Sequence, residues 1–258
     1  MIFNVIEGNK RNKRMRMCVL DTETNGLFVG GFKPHALQMS YMILNSIGVG
    51  RGRIVERMVD RIIRISNETE LSEESISIHG ITRERSEKEG KEMKLVLDEW
   101  RDEIKKNEVK VLIGHNIEYD LKVLELESKR NGWSGIFGKD GLLGIPRGEE
   151  GIVIYCTAKE SVGVCNIRMT SIVGRKYLKY GRLIEVHNQL FGEKDMERGL
   201  EMREYEKYLH DSQMDILVCA RIYIKLSYGV DMYNEWKRIL LRYVRSKELR
   251  RSARLRSV

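Results

Sequence analysis

Polar and apolar positions alternate over Ala36–Leu44, with Leu37, Met39, Tyr41 and Ile43 on one side and Gln38 and Ser40 on the other. A period of two predicts a strand. The apolar run Met15–Asp21 comes before it and ends in acidic residues, and Arg53–Ile65 reads as a further strand. Gly48, Gly50 and Gly52 suit a hairpin turn better than a phosphate loop, because no strand-to-helix step follows them. Residues 66–107 read as helical with a break at His79–Gly80. Val109–Ile113 then reads as a strand, and Ile117–Arg130 as a helix with Leu121, Leu124 and Leu126 among its apolar positions. Asn131–Gly151 holds seven glycines and one of the two prolines, which predicts a loop or insertion. Ile152–Cys156 reads as a fifth strand, and helices dominate after Thr157, notably Leu183–Phe191, Ser212–Leu226 and Met232–Leu249. The order of elements is that of an α/β domain, with an acidic pair at the tip of the first strand.

Charge adds a direction. The chain of 258 residues carries a net charge of +8 and a sequence pI near 9.2, which favours a polyanionic partner such as nucleic acid. The excess sits at the ends: +4 over residues 1–17 and +6 over residues 231–258, which leaves the middle at −2. Solvated termini explain such charge as well as nucleic-acid contact does. The division expected is a basic arm over 1–14, a main domain over 15–230 and a basic helical tail over 231–258. Cys18, Cys156, Cys165 and Cys219 are scattered without metal-type pairing and read as small buried hydrophobes. No apolar run approaches a membrane span and the first residues lack a signal-peptide core, so an intracellular protein, cytoplasmic or nuclear, is expected.

Three segments carry candidate chemistry. In Asp21–Thr22–Glu23, alternate residues of a strand project together, and two such close carboxylates repel unless a cation lies between them. In Gly114–Asp120, Asn116 suits the N-cap of the following helix, which places Asp120 in its first turn. In His210–Asp215, Ser212 as N-cap with Asp215 as capping-box partner would start the helix after His210, so the histidine can turn toward the carboxylate. Each segment alone is an ordinary turn or capped helix. All-oxygen donors of this kind suit Mg²⁺ or Mn²⁺ better than zinc or copper.

Taken together, the order Asp-x-Glu, Asp, His-x4-Asp in Asp21–Leu27, His115–Asp120 and His210–Asp215 resembles the DnaQ-like, or DEDDh, 3′–5′ exonucleases. Weaker agreement extends to Gln38, His79–Thr82 and Leu183–Gly192, so the resemblance covers residues 15–228. It implies a ribonuclease H-like fold, a mixed five-stranded sheet flanked by helices. It also implies removal of nucleotides one at a time from a free 3′ end. By the same resemblance Asp21, Glu23, Asp120 and Asp215 would hold two Mg²⁺ ions, with Mn²⁺ able to substitute, and His210 would act as general base. Thr22, Leu27 and Asn116 would lie near the terminal nucleotide, although Leu27 suits a core position equally well. His79, His115 and His187 read as structural, and Asn188–Phe191 as the end of an amphipathic helix. Single-stranded DNA is the favoured substrate, with RNA open. A polymerase partner or a homodimer would be in keeping with the resemblance, and no membrane partner is expected. An endonuclease or resolvase on the same fold, or a nucleic-acid-binding module without catalysis, are the competing readings.

Overall fold

The computed structural model describes residues 15–49, 53–138, 141–143, 151–200 and 202–255. The basic arm expected over residues 1–14 lies outside them. Five strands form one sheet: β1 (Arg16–Thr24), β2 (Ala36–Asn45), β3 (Val55–Ile62), β4 (Val111–Gly114) and, at the far edge, the strand Val153–Cys156. Between β3 and β4 come three helices, α1 (Glu73–His79), α2 (Arg83–Glu89) and α3 (Met93–Lys106), where the sequence reading had one helical stretch with a single break. Gly80 makes that first break as a left-handed C-cap at φ 67°. After β4 follow α4 (Ile117–Arg130), the short ribbon β5 (Phe137–Gly138) with β6 (Gly141–Leu142), and β7, which is Val153–Cys156.

The strand order is β3-β2-β1-β4-β7, antiparallel across β3-β2-β1 and parallel across β1-β4-β7. This is the mixed five-stranded α/β sheet expected. β1 is central and covered on both faces, so its residues from Met17 to Leu20 are fully buried rather than alternating in exposure. Cys18 and Leu20 face α3 and α4 through Trp100, Ile117 and Leu121. Met17 and Val19 face the second helical layer. Its main helices are α7 (Leu183–Glu197), α8 (Ser212–Tyr228) and α9 (Tyr233–Leu255). Burying a large apolar side chain contributes about 1.5–3 kcal/mol. α8, buried nearly all round from Ile216 to Ile224, is therefore a principal prop of the sheet.

Two short helices, α5 (Thr157–Glu160) and α6 (Val162–Cys165), follow β7. Helices do not hold this whole region, as the sequence suggested. Arg168–Thr170 (β8) and Lys176–Leu178 (β9) pair as a hairpin between α6 and α7. Its alternation was hidden because every strand residue is exposed, so no apolar period marks it.

Polar anchors join the layers. Arg221 of α8 is fully buried and reaches Asp195 at 2.6 and 2.7 Å and Asp231 at 2.9 Å, with Trp236 under its guanidinium. Loss of one partner would strand a buried charge, at roughly 3–5 kcal/mol. His187 is buried against that cluster, 3.1 Å from Arg221 Nη1. Helix α9 is fixed at its start, where the Glu235 carboxylate accepts from the main-chain N–H groups of Ile54 and Val55 at 2.7 and 3.1 Å. Trp236 and Leu240 of the same helix are fully buried. All four cysteines are buried free thiols. Among the described residues no helix is long and apolar enough to cross a membrane.

Candidate active site

The register of the sheet builds the site. Residues directly opposite across paired strands share a face. Asp21 faces Ser40 and Glu23 faces Gln38 across β1-β2, and Ser40 faces Asp60 across β2-β3. A polar stripe therefore crosses the sheet on the side covered by α8. The first turn of α8 meets this stripe and brings Asp215 to it. Carboxylate oxygens of Asp21, Glu23 and Asp215 lie within 4.8 Å of one another. The acidic pair is part of β1 itself, at its carboxyl end.

Asp120 arrives from the other layer. Its Oδ1 accepts from both the main-chain N–H and the hydroxyl of Thr22, at 2.9 and 2.7 Å. Thr22 lies between Asp21 and Glu23 on the strand and so points to the opposite face, where α4 packs. Asp120 is outside the tight group of three, yet its charge acts on Asp21 more strongly than that of any other acid. Thr22 thus spends both of its donors on orienting Asp120.

Crowding shows in the protonation of the acids. Burial first, and then the neighbouring acids, push the Glu23 carboxyl up to about 9. Burial, then Asp211 and Asp120, push Asp215 up to about 8. Burial pushes Asp120 up to about 7 despite the two bonds from Thr22, and Asp21 is raised well above the usual carboxylate range. Acids so placed hold protons at neutral pH unless cations replace them. Asp215 Oδ1 is a buried acceptor with no hydrogen-bond partner among the described residues, as a ligand atom waiting for a cation would be. The donor set, oxygen throughout, fits a hard divalent ion.

His210 stands just before α8 in a left-handed conformation, φ 63°, and is exposed. Its main-chain N–H supports the charged Asp215, and its ring lies near enough to His79 to lower that imidazole electrostatically, behind burial and Arg85. The capping arrangement differs from the sequence reading. Asp211, not Ser212, is the N-cap, accepting from Gln213 N at 3.1 Å. Ser212 is already helical, and its hydroxyl donates to Ser40 at 2.7 Å, since Ser40 faces it from the sheet.

Asp211 was missed as a site residue. It lies against the acids and raises Asp215, Glu23 and Asp21. Gln38 approaches its Oδ1 at 3.4 Å, and Lys247 of α9 forms a short ion pair with its Oδ2. The acid directly after His210 was a readable signal. Lys247, 36 residues further on, offered none.

Leu27 is 65% exposed in the loop after β1, so it is not a core leucine. That loop is anchored on both sides. Tyr119 Oη bonds to Thr24 Oγ1 and Gly26 O, each at 2.6 Å, and Arg130 donates to the carbonyls of Lys33 and Pro34 at 2.8 Å. Asn116 takes the N-cap position of α4 with φ 64° and is exposed, but its side chain makes no capping bond. His115 is held by Thr157 Oγ1 at 2.9 Å and Gly181 O at 2.8 Å. His79 ends α1, with Nδ1 accepting from Ile81 N at 3.0 Å.

With this geometry in hand, comparison with known proteins is direct. Residues 18–134 match the exonuclease family of RNase T type, a span that includes Asp21, Glu23 and Asp120. No curated protein matches the chain in sequence. Among solved structures, Escherichia coli exonuclease I in complex with a dT13 oligonucleotide is similar at TM-score 0.55 and 12% identity, over 82% of this chain and 41% of that one. Exonuclease I of Methylocaldum szegediense is similar at TM-score 0.55 and 13% identity, over 83% of this chain and 41% of that one. The nuclease domain of 3′hExo, a DEDDh family member bound to rAMP, is similar at TM-score 0.54 and 16% identity, over 83% of this chain and 92% of that one. The chain spans about two fifths of the exonuclease I chains but nearly all of the 3′hExo nuclease domain. At these identities the structural likeness establishes the fold, a ribonuclease H-like α/β sheet. Residues 18–134 thus match an exonuclease family, on a fold shared with exonuclease I and with the nuclease domain of 3′hExo.

Proposed function

We propose that the chain is a divalent-metal-dependent 3′–5′ exonuclease, releasing nucleoside monophosphates from the free 3′ end of nucleic acid. The observation that carries this reading is the meeting of Asp21, Glu23 and Asp215 oxygens within 4.8 Å, with Asp120 acting on Asp21 from the opposite layer. Residues so far apart in sequence converge because β1 ends, and α4 and α8 begin, at one place. Two of the likenesses agree in kind: one is in complex with a dT13 oligonucleotide and the other is bound to rAMP. Single-stranded DNA is the favoured substrate.

Asp21, Glu23 and Asp215 would hold the ions, with Asp120 adding a fourth carboxylate. Divalent ions held there would supply charge neutralisation at the phosphodiester and acidify a water. The protein's own groups do the rest. Thr22 fixes the direction of Asp120 through two hydrogen bonds. His210 takes the proton of the attacking water, a role that suits an imidazole near neutral pH. Its exposure on the segment before α8 leaves the ring free to approach a bound strand. The exposed Leu27, on the anchored loop that follows the acids of β1, offers an apolar surface for the terminal base.

A time course on 5′-labelled single strands in Mg²⁺ tests the reading, with His210→Ala as control. A ladder that shortens one nucleotide at a time from the 3′ end, in the wild type only, is the expected result. Cleavage of a closed circular strand would show an endonuclease, and binding without shortening would show a non-catalytic module.

A further inference from the structure

The hairpin β8–β9 stands outside the main sheet, and the catalytic reading makes no use of it. Its register pairs Arg168 with Leu178, Met169 with Tyr177 and Thr170 with Lys176. Arg168, Thr170, Lys176 and Leu178 therefore share one face, and Met169 and Tyr177 the other. All six are exposed. The turn at the tip is nonetheless built: Ser171 N–H donates to Arg175 O at 2.8 Å, and Arg175 N–H donates back to Ser171 Oγ at 3.0 Å. That turn lifts Ile172 and Val173 into solvent at 107% and 79% exposure. A two-stranded ribbon without a covered face is marginal in water, and clustered exposed apolar groups mark a contact surface.

Charge identifies what the surface contacts. From Asn166 to Gly181 the chain carries Arg168, Arg175, Lys176 and Lys179 and no acidic residue. Lys179 is paired with Glu185 at 2.8 Å, whereas Arg168, Arg175 and Lys176 have no acidic partner among the described residues. Unpaired cations interleaved with Tyr177 and Tyr180 suit a nucleic-acid strand, with phosphates on the cations and bases on the rings. Position agrees with composition. Gly181, at the foot of the hairpin, is bonded to His115 Nε2 at 2.8 Å, and His115 immediately precedes the Asn116 cap of the helix that carries Asp120. Gly114, on the other side of His115, packs closely on Leu20, the neighbour of Asp21. The hairpin is rooted at the end of the sheet where the acids meet.

Resting on the exonuclease reading above, we propose that this hairpin is a second nucleic-acid contact. It holds the strand upstream of the terminal nucleotide across the ribbon's edge, with Arg168 and Lys176 on one face, Tyr177 on the other and Arg175 at the turn. The acidic site handles the scissile end, and the hairpin gives affinity that grows with strand length.

Two variants test this: the triple change Arg168→Gln, Arg175→Gln, Lys176→Gln, and Tyr177→Ala. Binding of a labelled single-stranded 20-mer is followed by fluorescence anisotropy in Ca²⁺ across salt concentrations. Hydrolysis of thymidine 5′-monophosphate p-nitrophenyl ester, which has no upstream strand, is followed in Mg²⁺. For the triple variant, Kd should rise on the order of tenfold to a hundredfold at 0.1 M salt, with a log–log salt slope shallower by about 2. Tyr177→Ala should weaken binding roughly fivefold or more without changing that slope. Ester hydrolysis should match the wild type in both. An unchanged Kd and slope in the triple variant would overturn the proposal and point to another partner for the hairpin. Equal loss of ester hydrolysis would overturn it too, by placing these residues at the catalytic centre. If the wild type cleaves nothing while the triple variant still loses binding, the exonuclease reading fails and the hairpin contact stands.

Discussion

Replacing Asp215 by Asn removes one charge from the crowded acids and changes stability in opposite directions with and without metal. A carboxyl that ionises near pH 4 in a free peptide is held protonated here until about 8, by burial, Asp211 and Asp120. For a fully charged group such a shift corresponds to a native-state penalty on the order of 5 kcal/mol. Glu23 and Asp120 share protons with Asp215, so removal of one charge should return about 1–3 kcal/mol to the metal-free protein at pH 8. In a protein of this size that is a rise in Tm of roughly 3–9 °C. Metal reverses the order. Ions bound only by the native wild type stabilise it by about 2.7 kcal/mol at a hundred times Kd, and Asp215→Asn loses a ligand and most of that gain. Differential scanning calorimetry at pH 8, in EDTA and in 10 mM MgCl₂, reads both effects. If Asp215→Asn melts below the wild type in EDTA, or if Mg²⁺ raises both proteins equally, the reasoning is wrong.

Three further outcomes follow from the same contacts. Because the native acids keep protons that the unfolded chain releases above about pH 4, their contribution to metal-free stability is fully present below that pH, falls as pH rises and is gone above about 7 to 9. Urea melts in EDTA should show this decline, and saturating Mn²⁺ should flatten it. Thr22→Val removes the 2.7 Å bond that helps keep Asp120 ionised; it should weaken Mn²⁺ binding by roughly 1–3 kcal/mol and move the acidic limb of the activity profile to higher pH. Lys247→Met strands Asp211 beside His210 and should lower kcat about tenfold with little change in KM, while Lys247→Arg restores most of it.

The strands and helices that support the site were legible because they bury one period of apolar residues or are buried outright. Ala36–Leu44 showed its alternation, and its polar members, Gln38 and Ser40, proved to be the ones facing α8. Asp21, Glu23 and Asp215 were visible through spacing at element ends, since short-range geometry decides where a strand residue points. Contacts between distant elements left no such trace. Lys247 finds Asp211, and Glu235 finds Ile54 and Val55, only through the path of α9 back across the sheet. The hairpin was missed for another reason: periodicity reports burial, and nothing in Arg168–Leu178 is buried. The cap at α8 was misassigned by one residue because Ser212 and Asp211 are both good caps, and only the sheet facing them decides between the two.

The proposed activity requires acids from β1, α4 and α8 to gather and hold divalent ions. Mn²⁺ titration of the metal-free protein, followed by electron paramagnetic resonance at pH 7.5, tests this most directly. The expected result is two Mn²⁺ bound per chain in the wild type, about one in Asp120→Asn and essentially none in Asp21→Asn. A wild type that binds no Mn²⁺, or an Asp21→Asn variant that binds as much as the wild type, would contradict it.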